Sequence, residues 1–184
     1  MNKHLAKIAV LVVAISATTY LALVWFTLRT NIDVSILTIV TDDSYPLIPR
    51  PLAKAYLSVT DYDPNGLTQL GMPAYSFITA GYGLEGRKND QRILQLSQQF
   101  LDKGANINSL FEGFSPLHGA VLANQPELVR HLLENGADTK QKLDRPGRPI
   151  NGMNALELAK FLKIARKKEN WSKVLELLEA QHNN

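Results

Sequence analysis

The second half of the sequence contains a repeated segment, and this repeat limits the possible folds more than any other feature. Residues 100–106 (FLDKGAN) match residues 132–138 (LLENGAD), 32 residues further along the chain. Residues 113–120 match residues 152–159 at a spacing of 39, which indicates an insertion of about six residues into a period of about 33. Such periods are typical of stacked helix pairs, in which each pair covers the apolar face of its neighbour.

The central copy has the signals of two short helices. Ser115 is a favourable N-cap, and Pro116 suits the first helical turn because the missing N–H would be unpaired there anyway. A second helix begins at Pro126, and Gly136 ends it because a left-handed cap favours a residue without Cβ. Apolar residues recur at helical spacing on one face of each helix: Leu117, Ala120 and Val121, then Leu128, Val129, Leu132 and Leu133.

These residues carry a resemblance to a known family. Residues 113–138, GFSPLHGAVLANQPELVRHLLENGAD, resemble an ankyrin repeat, with its G-x-T-P-L-H-x-A start and its LL-x-x-G-A-D end. The upstream copy keeps FLDKGANIN and Pro73, and the downstream copy has Ala155 and Glu157 at the proline and histidine positions. The resemblance implies an all-α fold, a short ankyrin-repeat solenoid of about three repeats over residues 71–181.

The last repeat should end in a helix with a polar outer side, because no further repeat covers it. Residues 170–181 (NWSKVLELLEAQ) fit this role, and residues 182–184 form a tail. The inward positions of this helix are predicted to be Val174, Leu175, Leu177 and Leu178.

Residues 8–28 form an uncharged apolar run whose length as a helix, about 31 Å, matches the hydrocarbon core of a membrane. We interpret it as a transmembrane signal anchor; the alternative is a cleaved signal peptide. Lys3 and Lys7 precede the run and only Arg29 closely follows it. The positive-inside rule then predicts that residues 1–7 are cytoplasmic, that the helix lies in the inner (plasma) membrane and that the repeats are periplasmic.

Residues 29–70 are predicted to be a linker that includes an N-terminal cap for the repeats. The β-branched run at 34–40 indicates a short strand or an extended segment near the membrane. Three prolines in residues 45–51 favour an extended spacer, and residues 53–59 indicate a short helix. Residues 61–66 (DYDPNG) are interpreted as a tight turn.

Two motifs resemble ligand sites but lack the required context. Residues 61–66 open like a calcium loop, but Met72 stands where the closing glutamate is needed. Residues 81–86 match G-x-G-x-x-G without the parallel sheet of a dinucleotide site. The chain contains no cysteine, and no histidines have metal-ligand spacing. The ankyrin resemblance gives His118 a structural hydrogen bond, and His131 is placed on an exposed helix face. We therefore expect no catalytic, cofactor or metal site.

The net charge of +3 has no pattern that points to nucleic acid. The basic residues between 160 and 173 are interpreted as a solvated helix face, with a phosphate-binding patch as the alternative. The loop at 141–148 is also basic, which favours an acidic protein partner or anionic lipid headgroups.

The ankyrin resemblance implies protein recognition through the hairpin tips and the outward side of the first helices, without a small-molecule substrate. Leu110, Phe111 and Leu143 are apolar in polar loops, which makes them candidate anchors for a partner. The alternative is that Phe111 and Leu143 fold back onto the repeat core. The predicted partner-binding residues are Leu110, Phe111, Glu112, Leu122, Asn124, Lys142, Leu143, Arg145 and Arg148.

The architecture suggests three functions. The leading one is an immunity protein that neutralises a toxin effector in the periplasm, by analogy with small anchored envelope proteins. The second is a scaffold or accessory factor for a resident envelope enzyme. The third is an enzyme with its site in residues 33–63, where several aspartates lie.

Overall fold

A computed structural model describes residues 3–30, 32–40, 48–83 and 89–182 of the protein. Within these residues all regular secondary structure is helical, and only two isolated β-bridges occur. The chain divides into two compact units, Met1–Asp61 and Tyr62–Asn184.

The first unit contains α1 (Lys3–Thr30), α2 (Ile32–Val40) and α3 (Arg50–Val59), which contact one another. Within α1, Val10–Thr30 is long and apolar enough to cross a membrane, with a mean hydropathy of 2.0. Its hydroxyl groups donate to carbonyls one turn earlier, as from Ser16 to Val12 at 2.8 Å. This pairing lets polar side chains occupy an apolar helix without leaving an unsatisfied group.

The strand predicted for residues 34–40 is wrong, because these residues belong to α2. The β-branched composition favours a strand, but packing overrides that preference. Ser35, Ile36 and Ile39 are buried at helical spacing, which a strand would place on alternating faces.

The spacer predicted for residues 45–51 is only partly tested, because residues 45–47 lie outside the described residues. Arg50 and Pro51 belong to α3, where proline occupies the first turn. The helix predicted for residues 53–59 is confirmed as the remainder of α3.

The second unit consists of three helix pairs. They are α4 (Ala74–Ala80) with α5 (Asp90–Asp102), α6 (Pro116–Leu122) with α7 (Pro126–Glu134), and α8 (Ala155–Ala165) with α9 (Ser172–His182). The first helices α4, α6 and α8 stack side by side, and α7 contacts α9. The predicted all-α architecture is thereby confirmed.

The inward faces predicted for α6 and α7 are buried, from Leu117 to Leu133. In α9, Val174, Leu175 and Leu178 are buried and Leu177 is half-buried. Among the described residues, the largest fully buried side chain is Trp171, at 1% exposure, just before α9. An indole at this position fills the end of the stack.

Residues 61–66 form the predicted turn. The backbone N–H of Asn65 donates to the Asp63 carboxylate at 2.9 Å, as Asx turns do. The Asn65 amide pairs with backbone of the first repeat, donating to the Gly104 carbonyl at 3.1 Å and accepting from the Asn106 N–H at 2.6 Å. The Tyr62 ring packs on Phe100 with centroids 4.8 Å apart. The start of the unit therefore covers the first helix pair.

Candidate functional site

A two-residue hairpin precedes α6. Phe111 and Phe114 exchange backbone hydrogen bonds of 2.9 and 3.0 Å. Glu112 and Gly113, between them, have positive φ angles of 47° and 77°. Two successive left-handed residues are the signature of a type I′ turn. The hairpin thus holds two phenylalanines at fixed positions beside the first helices of the stack.

A groove of about 260 Å³ lies between α4, α6 and this hairpin. Its walls include Ser76 and Ala80 from α4 and Gly119 and Ala123 from α6, and the hairpin contributes Phe111 and Phe114. Small residues on both helices leave this space open. A Cβ added at Gly119 would meet no atom within 4 Å.

The N-terminus of α6 is fixed by a buried capping box. The Ser115 N–H donates to His118 Nδ1 at 3.3 Å, and the Ser115 hydroxyl lies 2.8 Å from the same nitrogen. Since Nδ1 accepts, the neutral ring carries its proton on Nε2, which is buried near the carbonyls of Gln141 and Met153 without a close hydrogen bond to either. Burial lowers the pKa of His118 to about 4, although these carbonyls and Asp138 act in the opposite direction. The structural role that the resemblance implies for His118 fits this geometry.

The extra residues of the third repeat form a closed insertion loop, residues 143–153. The Leu143 N–H donates to the Met153 carbonyl, and the Gly152 N–H donates to the Leu143 carbonyl, both at 2.9 Å. Inside the loop the Arg145 N–H donates to the Asn151 side chain at 2.7 Å. These hydrogen bonds fix the conformation of the insertion loop.

The insertion loop is joined to the hairpin. The Asp144 N–H donates to the Gly113 carbonyl at 3.1 Å. Arg145 Nη1 donates to the Glu112 carbonyl at 2.8 Å and lies 3.4 Å from its carboxylate. The same guanidinium lies 5.2 Å from the centre of the Phe114 ring, within range of a cation–π contact. The basic loop and the aromatic hairpin therefore form one continuous surface.

Most of the predicted partner-binding residues are accessible. Leu110 is 46% exposed, and the other exposed or half-buried members of the set are Phe111, Glu112, Leu122, Asn124, Lys142, Arg145 and Arg148. Leu143 differs, because it is 2% exposed and folds back onto the core. The alternative that Leu143 folds back onto the repeat core is therefore correct, and this residue is not available as an anchor for a partner. Phe111 lines the groove and is half-buried.

The two predicted residues at the other end of α6 lie apart from the hairpin. The Leu122 carbonyl accepts from Arg166 at 3.0 Å, and the Asn124 side chain donates to the Asn170 carbonyl at 3.2 Å. Both tie the central repeat to the last one. Sequence reasoning missed Tyr82 and Gln125, which line the groove and are joined by a 2.6 Å hydrogen bond. Neither residue type carries a signal that points to such a contact.

The prediction that His131 lies on an exposed helix face is wrong, because its side chain is half-buried. Its Nε2 lies 2.9 Å from the Ser97 hydroxyl, which donates to the Tyr75 hydroxyl at 3.0 Å. Burial lowers the pKa of His131 and raises that of Tyr75 to about 12. This chain of hydrogen bonds links α4, α5 and α7 and has the character of a structural network.

The basic residues of the last repeat make contacts within the fold. Lys160 lies 3.7 Å from Glu179, Arg166 lies 3.9 Å from Glu169, and Lys173 lies 3.3 Å from Glu127. These pairs agree with a solvated helix face. In the described part of the chain, no group of three His, Cys, Asp or Glu side chains is placed to hold a metal ion.

The comparison with known families matches the central repeat, which consists of the hairpin, the capped helix α6 and the short helix α7. Residues 112–143 match the ankyrin-repeat family model. The all-α ankyrin-repeat solenoid is thereby confirmed, and ankyrin repeats support a protein-binding role. A search of curated proteins finds no match to the chain. The G-x-G-x-x-G motif starts at Gly81, directly after helix α4 and not after a strand, and residues 84–86 lie outside the described residues.

Proposed function

We propose that this chain is a membrane-anchored ankyrin-repeat protein that binds a protein partner outside the cytoplasm. The observation that carries this proposal is the open groove beside the hairpin, with two phenylalanines and the basic insertion loop on one surface. Apolar pockets with a polar rim are where protein interfaces concentrate their binding energy. The protein is proposed to act by stoichiometric binding and not by catalysis.

The proposed anchor is the apolar part of α1. Val10–Thr30 has the length and hydropathy of a membrane span, and 6% of its most apolar window is buried. A helix with an apolar surface exposed to this extent gains stability in lipid. Lys3 and Lys7 before the span favour a cytoplasmic N-terminus, which places the repeats in the periplasm.

The specific partner that we propose is a toxin effector that acts in the periplasm, so that the protein serves as an immunity protein. A small anchored binding module suits this task because it must meet the toxin at the membrane and block it by occupying its surface. This part of the proposal rests on analogy in architecture.

The test is capture of partners by the tagged full chain, extracted from membranes in detergent. We expect one protein in stoichiometric amount, and its loss with the double variant Leu110→Ala/Phe111→Ala. The matched control is Ile164→Ala, which also removes an exposed apolar side chain, here 72% exposed, from the last repeat. Equal capture by both variants would place the interface elsewhere.

The identity of the captured protein decides between the specific roles. Co-expression of a captured hydrolase, exported to the periplasm, should kill cells that lack this chain and spare cells that contain it. A resident envelope enzyme in the complex, without protection from any toxin, would support the scaffold role instead. Turnover that is lost with Asp61→Asn or Asp63→Asn would support an enzyme.

A further inference from the structure

The groove has the size of a pocket for one or two side chains. Its volume of about 260 Å³ is below the roughly 300–1,000 Å³ that is common for small-molecule sites. Ala80, Ala123 and the two phenylalanines give it apolar walls. Such a pocket gains binding energy by removing a Leu- or Phe-sized group from water.

The insertion loop, which contacts the hairpin that lines the groove, belongs to a basic segment. Residues 140–153 contain Lys140, Lys142, Arg145 and Arg148 against the single acid Asp144. Arg145 is already paired with Glu112, while Lys142 and Arg148 are exposed. The Arg148 N–H donates to the Arg145 carbonyl at 3.1 Å, which fixes Arg148 in the loop that reaches the Phe114 ring.

From these two features we propose that the groove takes one apolar side chain of an extended acidic segment of the partner, whose carboxylates pair with Lys142 and Arg148. This inference rests on the proposed function as a protein-binding module and adds the chemistry of the partner. An apolar anchor seated in the groove supplies affinity, while charges near it supply orientation and the rate of association.

A protein segment fits these observations better than a nucleic acid does. Nucleic-acid sites need a row of cations along several phosphates. Here Arg145 and Lys173 are bound to acidic side chains of the protein itself. Among the described residues, no lysine or arginine lines the groove itself, so it offers no cation to a phosphate.

The test is selection of peptides from a displayed random 12-residue library on the full chain in nanodiscs, followed by anisotropy titration of the enriched peptides. Enriched sequences should contain a Leu, Phe or Met within a few residues of Asp or Glu. Their affinity should fall at least tenfold with Gly119→Leu, which fills the groove, and at least tenfold with Lys142→Glu/Arg148→Glu. Ile164→Ala, which removes an exposed apolar side chain from the last repeat, is the control and should leave binding within threefold.

Charge reversal elsewhere controls for a general loss of positive charge. Lys163→Glu/Lys167→Glu changes two exposed cations in and after α8 and should leave peptide binding within threefold. An unlabelled single-stranded oligothymidine should not compete for the site. Enrichment without acidic residues, failure to enrich any peptide, equal binding by Gly119→Leu, or competition by the oligonucleotide would each overturn the inference. Capture of a cellular partner that survives Lys142→Glu/Arg148→Glu would overturn it while leaving the binding role intact.

Discussion

His118 shows how one buried side chain makes an ankyrin repeat sensitive to pH. The folded pKa of about 4 lies below the usual value of 6.5. His118 therefore binds a proton near pH 6.5 in the unfolded chain but only near pH 4 in the folded chain. Its contribution to stability is fully present above pH 6.5 and is lost as the pH falls toward 4. A difference of this size corresponds to about 3 kcal/mol.

We expect the free energy of unfolding of the full chain, measured by urea denaturation, to be lower at pH 5 than at pH 7.5 by the greater part of that amount. The variant His118→Gln should start less stable and lose less over the same range. His131, whose pKa is lowered in the same direction, adds to the effect, so His131→Gln serves as the second comparison. The same pH response in both variants and the natural chain would contradict this explanation.

Gly113 joins the hairpin to the insertion loop. Its φ is 77°, and a Cβ there would overlap the carbonyl oxygen of Asp144. Gly136 also has positive φ but has open space around the position of a Cβ. Gly113→Ala should therefore cost about 2–4 kcal/mol in unfolding experiments, against about 1–2 kcal/mol for Gly136→Ala. Equal costs would mean that the loop does not pack against the hairpin.

At the residue scale, composition alone could not separate Phe111 from Leu143. Both are apolar residues in polar loops, and only the backbone bonds that close the insertion loop turn Leu143 inward. His131 is a similar case, because its partner Ser97 lies 34 residues away in the previous repeat. Contacts between repeats depend on how the helix pairs stack. The sequence alone does not reveal which residues of neighbouring pairs come into contact.

At the scale of elements, α6 and α7 were predictable because cap, proline, apolar spacing and terminal glycine all indicate the same helices. In α2 these signals conflict. Its β-branched residues favour a strand, and only packing against α1 and α3 makes it helical. The groove was not predictable from the sequence, because it requires small residues from two separate helices to face each other.

Gly119 offers a test of this element that is independent of binding. It lies inside α6 with φ in the helical range and open space around it. Replacing it with alanine should raise the free energy of unfolding by about 0.5–1 kcal/mol, because glycine loses more backbone entropy in a helix. Thermal or urea unfolding measures this directly. A loss of stability would show that α6 is packed more tightly on this side.

At the scale of the whole molecule, the absence of cysteine from the sequence allows a direct test of topology. A single cysteine placed by Lys167→Cys, on an exposed turn after α8, should react with a membrane-impermeant maleimide in intact spheroplasts. A cysteine placed by Asn2→Cys should react only after the membrane is opened. Carbonate washing should leave the chain in the membrane. The opposite labelling pattern would reverse the orientation, and release by carbonate would indicate that α1 does not anchor the chain.

The measurement that tests the central claim most directly is photo-crosslinking in living cells. A photoreactive amino acid replaces Ala123 in the groove or, as the control, Glu134 at the exposed end of α7. Binding in the groove predicts one crosslinked protein from position 123, little or none from position 134, and loss of that product when Gly119→Leu is added. The same product from both positions, or no product from position 123, would contradict the claim that the groove is the binding site.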